Sequence, residues 1–165
     1  MTPDVSADTV ITALGLMPHP EGGHYAETWR DSEPASGRAY SSAIYYLLRA
    51  GEQSRWHRID AAEIWHFYAG AALELTLSRD GHGVEPRRLG SALISGERPQ
   101  VAVPAGWWQA ARSLGDWSLV GCTVAPAFQF ERFELADEHW HPTDVSRPVA
   151  QRPPDVSGDR AAERS

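Results

Sequence analysis

His57 and Glu63 lie in the stretch Gly51–Gly70, where Gly, His, Glu and Gly fall at offsets 0, 6, 12 and 19. That spacing suits two antiparallel strands joined by a tight turn, aiming an imidazole and a carboxylate into one cavity. An imidazole titrates near neutrality, and a neighbouring carboxylate orients it and raises its basicity. Such a pair can act as a general base toward a proton next to a carbonyl. The same nitrogen and oxygen atoms also suit a divalent transition metal. The residues alone leave both chemistries open.

The elements that must position this pair are nearly all strands. Residues 7–16 form the one convincing helix, with Val10, Ile11 and Leu14 on one side and Gly15 as its stop. His19-Pro20-Glu21-Gly22-Gly23 breaks the chain, and Tyr25 to Trp29 alternates as a strand. From Ala39 onward the pattern is strand after strand: 39–48, 54–59, 63–69, 72–78, 85–89, 100–103, 107–111, 117–124 and 130–134. Gly51, Asp80-Gly81, Gly96, Pro104-Ala105-Gly106 and Gly115-Asp116 separate them. Short strands at such regular spacing predict an all-β antiparallel sandwich or barrel. Residues 1–142 then make a single domain, and residues 143–165 a polar, proline-rich tail, disordered or loosely docked, that cannot bury enough apolar surface to fold alone.

Composition removes several function classes. A net charge of −7 disfavours nucleic acid as a partner, because that binding needs clustered cations. All 15 cationic side chains are arginine, so Schiff-base chemistry on lysine is excluded. Cys122 is the single cysteine and sits in the apolar run Leu119–Val124, which predicts a buried, inert thiol. No apolar run approaches a membrane span, and Met1-Thr2-Pro3-Asp4 does not open a secretory signal, so a soluble cytoplasmic protein without a membrane partner is expected.

The Gly51–Gly70 block resembles the first signature of the cupin superfamily, with Ile59 where a second histidine usually stands. A degenerate second signature follows in Gly96 and Pro104-x-Gly106-x-x-Gln109, with Gln109 where cupins place their last histidine. Five blocks narrow the resemblance to the fifth cupin family: His19–Thr28, Ser42–Leu48, Glu63–Gly70, Val103–Ala110 and Leu119–Phe128. The resemblance covers about residues 9 to 136. It implies a double-stranded β-helix (cupin jelly roll) with a short N-terminal helix, a homodimer, and a barrel-mouth pocket shaped like those of nucleotide-sugar epimerases (RmlC-like).

In the cupin register, His57, Glu63 and Gln109 converge inside the barrel, surrounded by Trp65, Phe67 and Trp107. As a metal-binding trio they would hold divalent Fe, Mn, Ni or Zn, although Gln is a weak ligand and two usual histidines are missing. Without metal, His57 is the base, Glu63 its partner, and Gln109 a donor to developing oxyanion charge. Tyr45 or Tyr46, with Tyr46 assigned the catalytic part, would return a proton, as in the sugar-epimerase branch. Glu21 and Tyr25 flank the glycine pair, which makes either a pocket lid or a plain strand-to-loop corner. His66 lies on the strand face opposite Glu63 and is read as packed. Trp29, Trp117 and Trp140 are read as structural, and His139 and His141 as a surface pair.

Three readings follow. The first is a small-molecule enzyme, isomerase- or epimerase-like or lyase-like, moving a proton on a polar carbonyl or sugar-like substrate. The second is a metal-dependent oxygenase or lyase using His57, Glu63 and Gln109. The third is a cupin that binds a small molecule without changing it.

Overall fold

The computed structural model describes residues 5–35 and 37–143. One helix precedes eleven strands: α1 (Ala7–Leu14), β1 (Met17–Pro18), β2 (His24–Arg30), β3 (Ser42–Arg49), β4 (Gln53–Ile59), β5 (Ala62–Gly70), β6 (Leu73–Ser78), β7 (Glu85–Leu89), β8 (Gln100–Val103), β9 (Trp108–Ser113), β10 (Trp117–Ala125) and β11 (Phe133–Leu135). Short 3-10 turns occupy Leu93–Ser95 and Phe130–Arg132. Ser6 caps α1 by accepting from the Thr9 amide at 3.2 Å, and Gly15 closes it at φ 63°. The helix therefore ends at Leu14, two residues before residue 16, with Gly15 as its C-cap.

The strands form two antiparallel sheets. The larger runs β1-β2-β3-β10-β5-β8 and the smaller β11-β4-β9-β6-β7. Inward positions of both sheets interdigitate in one apolar core containing Tyr46, Leu48, Trp65, Leu73, Leu75 and Leu77. Alternation accounts for this: in β6, Leu73, Leu75 and Leu77 are buried on one face while Glu74 and Thr76 turn outward. The expected all-β double-stranded β-helix with a short N-terminal helix is the observed fold.

Some boundaries differ from the sequence reading. The strand expected from Ala39 begins at Ser42. Trp107 lies in the turn before β9 rather than in it. The strand expected over 130–134 divides into a 3-10 turn and β11. Phe130 cannot start a strand because the chain must first turn, and only Phe133–Leu135 reach the edge of β4.

The tail was expected from residue 143 as disordered or loosely docked, and its first residue, Thr143, is docked. Its amide donates to Gly81 O and its carbonyl accepts from the Gly83 amide, both at 2.8 Å. Residues 144–165, the rest of that tail, lie outside the described residues, as do 1–4 and 36. Among the described residues no helix is long and apolar enough to cross a membrane.

Candidate active site

The corner His19–Gly23 does more to build the site than any strand. Gly22 and Gly23 have φ of 113° and 68°, a region that side-chain-bearing residues avoid. A Cβ on Gly22 would collide with the Gln53 carbonyl oxygen, and one on Gly23 would press on Leu47 O. Only glycine lets the corner lie this close to β3 and β4. The Arg55 amide then donates to Glu21 O at 2.8 Å, clipping the corner to β4 and directing the Glu21 side chain into the barrel.

There Glu21 meets His57. Glu21 Oε2 is 3.3 Å from His57 Nε2 and 3.7 Å from His19 Nδ1, while Glu21 Oε1 accepts from Ser54 Oγ at 3.0 Å. His57 Nδ1 lies 2.7 Å from Arg55 O. A carbonyl oxygen only accepts, so Nδ1 carries a hydrogen and Nε2 of neutral His57 offers its lone pair toward Glu21. The Glu21 amide donates to His19 Nδ1 at 3.2 Å, which assigns the hydrogen of neutral His19 to Nε2.

Burial governs the protonation of this group. It pushes the Glu21 carboxyl upward, partly opposed by His19 and by the hydroxyl of Ser54. It pushes His57 downward, opposed by the charge of Glu63, and His19 downward as well. A carboxyl moved up and an imidazole moved down both favour the uncharged forms of Glu21 and His57.

Glu63 opens β5 at the same level, raised by burial. Its Oε2 accepts from Gln109 Nε2 at 2.5 Å, and Gln109 Oε1 accepts from Trp65 Nε1 at 2.9 Å. Gln109 is fully buried behind Glu63 and does not line the cavity. Each end of its amide makes one hydrogen bond to protein, and its burial outside the cavity lining keeps the remaining N–H and lone pair from a ligand there. The expected trio His57, Glu63 and Gln109 therefore does not fit a metal, and among the described residues no group of three or more His, Cys, Asp or Glu side chains could hold one.

The cavity encloses about 280 Å³. Glu21, His57, Glu63 and His19 are its polar floor. Ile44, Ile59, Val124, Phe128 and Phe133 make apolar walls, and Glu27, Arg30 and the half-exposed Phe130 reach the rim. Tyr25 lines it too, with its ring edge-on to His19 at 4.5 Å.

Of the residues expected around a substrate, Glu21 and Tyr25 reach the cavity and the others do not. Trp65 shares the inward face of β5 with Glu63, yet two residues farther along it fills the core. Phe67 and Trp107 also pack against the core, beyond the cavity. Tyr46 points inward, but its hydroxyl donates to Gly22 O at 2.7 Å, and burial holds it well above the usual phenol range. It is a strut for the glycine corner rather than a proton donor facing the cavity. Tyr45 lies on the opposite face, edge-on to Tyr68. Trp56 and Trp108 turn outward from His57 and Gln109 and pack with Trp140, which covers that face, while Arg58 sits 4.6 Å over Trp108.

Sequence reasoning missed His19, Glu27, Arg30, Phe128, Phe130 and Phe133 as lining residues. The close phenylalanine spacing at 128, 130 and 133 was the available signal. Cys122 is buried as expected, but at the cavity wall beside Glu63, which together with burial holds its thiol well above the usual range.

The comparisons agree with this architecture. A crystal structure of a Shewanella oneidensis protein superposes with a TM-score of 0.77 at 40% identity, covering 80% of this chain and 85% of that one. A hypothetical protein from Leishmania major gives 0.75 at 27% identity, covering 82% and 89%. Bacillus subtilis oxalate decarboxylase shares the fold at 13% identity, with a TM-score of 0.56; this chain covers 29% of its length. One description of that decarboxylase names its Mn(II) centers. No protein with a curated description matches the sequence. The family described as "Cupin superfamily (DUF985)", Cupin_5, matches residues 8–136, and the chain belongs to it.

Proposed function

We propose that this cupin is a small-molecule enzyme that moves a proton next to a carbonyl, in an isomerisation, epimerisation or elimination. The observation that carries the reading is the 3.3 Å approach of Glu21 Oε2 to His57 Nε2, with His57 Nδ1 anchored on Arg55 O. His57 Nε2 is the base. As it takes the proton, the imidazolium is stabilised by Glu63 and by the Arg55 carbonyl. Glu21, whose protonated form burial favours, shifts its hydrogen from His57 Nε2 to the developing enolate oxygen, which frees the Nε2 lone pair for the substrate proton. That part was expected of Gln109, whose amide is turned toward Glu63 instead. The apolar walls exclude water, which strengthens each of these interactions.

The metal-dependent alternative uses a donor set in which Gln109 participates, and Gln109 is buried behind Glu63, outside the cavity lining. We derive no step through a metal. The homodimer implied by the family resemblance and the cytoplasmic location expected from the sequence belong with this reading as proposals.

The test is proton NMR in D₂O with simple ketones, oxo acids and ketoses. The wild-type protein should wash out protons next to the carbonyl of at least one class. His57→Ala should slow washout by about 10²- to 10⁴-fold, the usual worth of a positioned general base, and Glu21→Gln should also slow it. Equal washout by His57→Ala overturns the assignment. Saturable binding with no washout by the wild type makes the protein a binding cupin.

A further inference from the structure

We propose that the cavity is built for a small monocarboxylate, with its carboxylate anchored at the rim by Arg30 and its carbonyl end directed inward at His57 and Glu21. The identity of the reacting end rests on the proton-transfer reading; the anion anchor does not.

Charge is distributed unevenly along the cavity. Among its described lining residues, Arg30 is the one side chain with a permanent positive charge. The floor holds two carboxyl groups, Glu21 and Glu63, beside His19 and His57, whose burial favours the uncharged imidazole. A full carboxylate seated on the floor would meet no fixed cation and would lie against Glu63, whereas at the rim Arg30 supplies one, with Glu27 as its standing partner. A ligand bearing one anion and one neutral carbonyl therefore enters in one orientation.

Arg30 is also held for the purpose. Nε donates to Glu27 Oε1 at 3.0 Å, Nη2 to Glu27 Oε2 at 2.7 Å, and Nη1 to Phe128 O at 3.0 Å. These bonds use three of the five N–H groups of a guanidinium and leave one hydrogen on each terminal nitrogen. The planar group is fixed before a ligand arrives, and two donors remain for an incoming carboxylate. Between rim and floor, Ile44, Ile59, Val124 and Phe133 give an apolar passage suited to the carbon chain joining the two ends.

The test is calorimetric titration of the wild-type chain with pyruvate and levulinate, and with their methyl esters. At least one acid should bind about tenfold or more tightly than its ester, reflecting a charge pair that the ester cannot make. Arg30→Gln should erase that preference, Arg30→Lys should keep part of it, and Glu27→Gln should widen it by removing a competing anion. Circular dichroism confirms that each variant is folded. Equal binding of acid and ester, a preference that survives Arg30→Gln, or no saturable binding of either acid overturns the proposal. Washout on a neutral ketone without any acid preference defeats this inference alone. An acid preference without His57-dependent washout defeats the proton-transfer reading alone.

Discussion

Gln109→Leu separates a buried brace from a ligand or an oxyanion donor. The side chain is fully buried and nearly isosteric with leucine, so the cavity left behind is small. Two hydrogen bonds disappear: the one to Glu63 Oε2 and the one from Trp65 Nε1. A buried group stranded in this way costs about 1–3 kcal/mol, and Trp65 Nε1 and Glu63 are both stranded. Replacing a buried amide by an apolar group returns part of that, so the net cost should be about 3 kcal/mol. For a domain of this size the melting temperature should fall by roughly 6–12 °C. Urea unfolding at neutral pH measures the free energy, and Trp65→Phe combined with Gln109→Leu tests the coupling: the double variant should cost less than the sum of the singles. A loss below about 0.5 kcal/mol, or strict additivity, would refute the brace.

Two further perturbations address charge and metal. Glu21 has a raised carboxyl pKa in the folded protein, so the stability gained from its protonated form is complete below the unfolded value and is lost as pH rises through the folded one. Glu21→Gln mimics that form, and its stability relative to wild type should improve as pH rises from the ordinary carboxyl range, about 4, through the raised folded value; a pH-independent difference in urea unfolding would contradict this. Ile59→His puts a second imidazole on the inward face of β4 beside His57. Thermal shifts should then show stabilisation by Zn²⁺ or Ni²⁺ that is absent from the wild type, and equal responses would show that position 59 does not share a coordination sphere with position 57.

The hairpin of β4 and β5 was legible because it is local: alternation alone puts His57, Ile59, Glu63 and Trp65 inside. Depth was not legible. Trp65 has the right face, but period-2 patterning does not say where along a strand a cavity gives way to core. Glu21 was seen beside its glycines as either a lid or a corner, and it proves to be part of the floor. That placement depends on how closely the glycine corner approaches β4, a non-local contact. The second signature placed Gln109 near Glu63, to which it donates in the structure, while its partner Trp65 Nε1 could not be read from spacing. Arg30 lies just past the strand expected over Tyr25 to Trp29 and carried no signal of its own; its role at the rim depends on Phe128, nearly a hundred positions away.

The pairing of β11 with β4, Phe133 opposite Ile59 and Leu135 opposite His57, has a kinetic consequence. One wall of the cavity comes from residues before β3 and another from residues after β10, so neither can close by local folding. Chains dominated by such distant pairings fold slowly, because loop entropy is lost before the contact stabilises anything. A nascent chain that has not yet delivered Phe133 holds the acid and the base but no enclosed space. Capture of a small ligand should therefore appear with the slowest refolding phase, later than the signal from sheet formation.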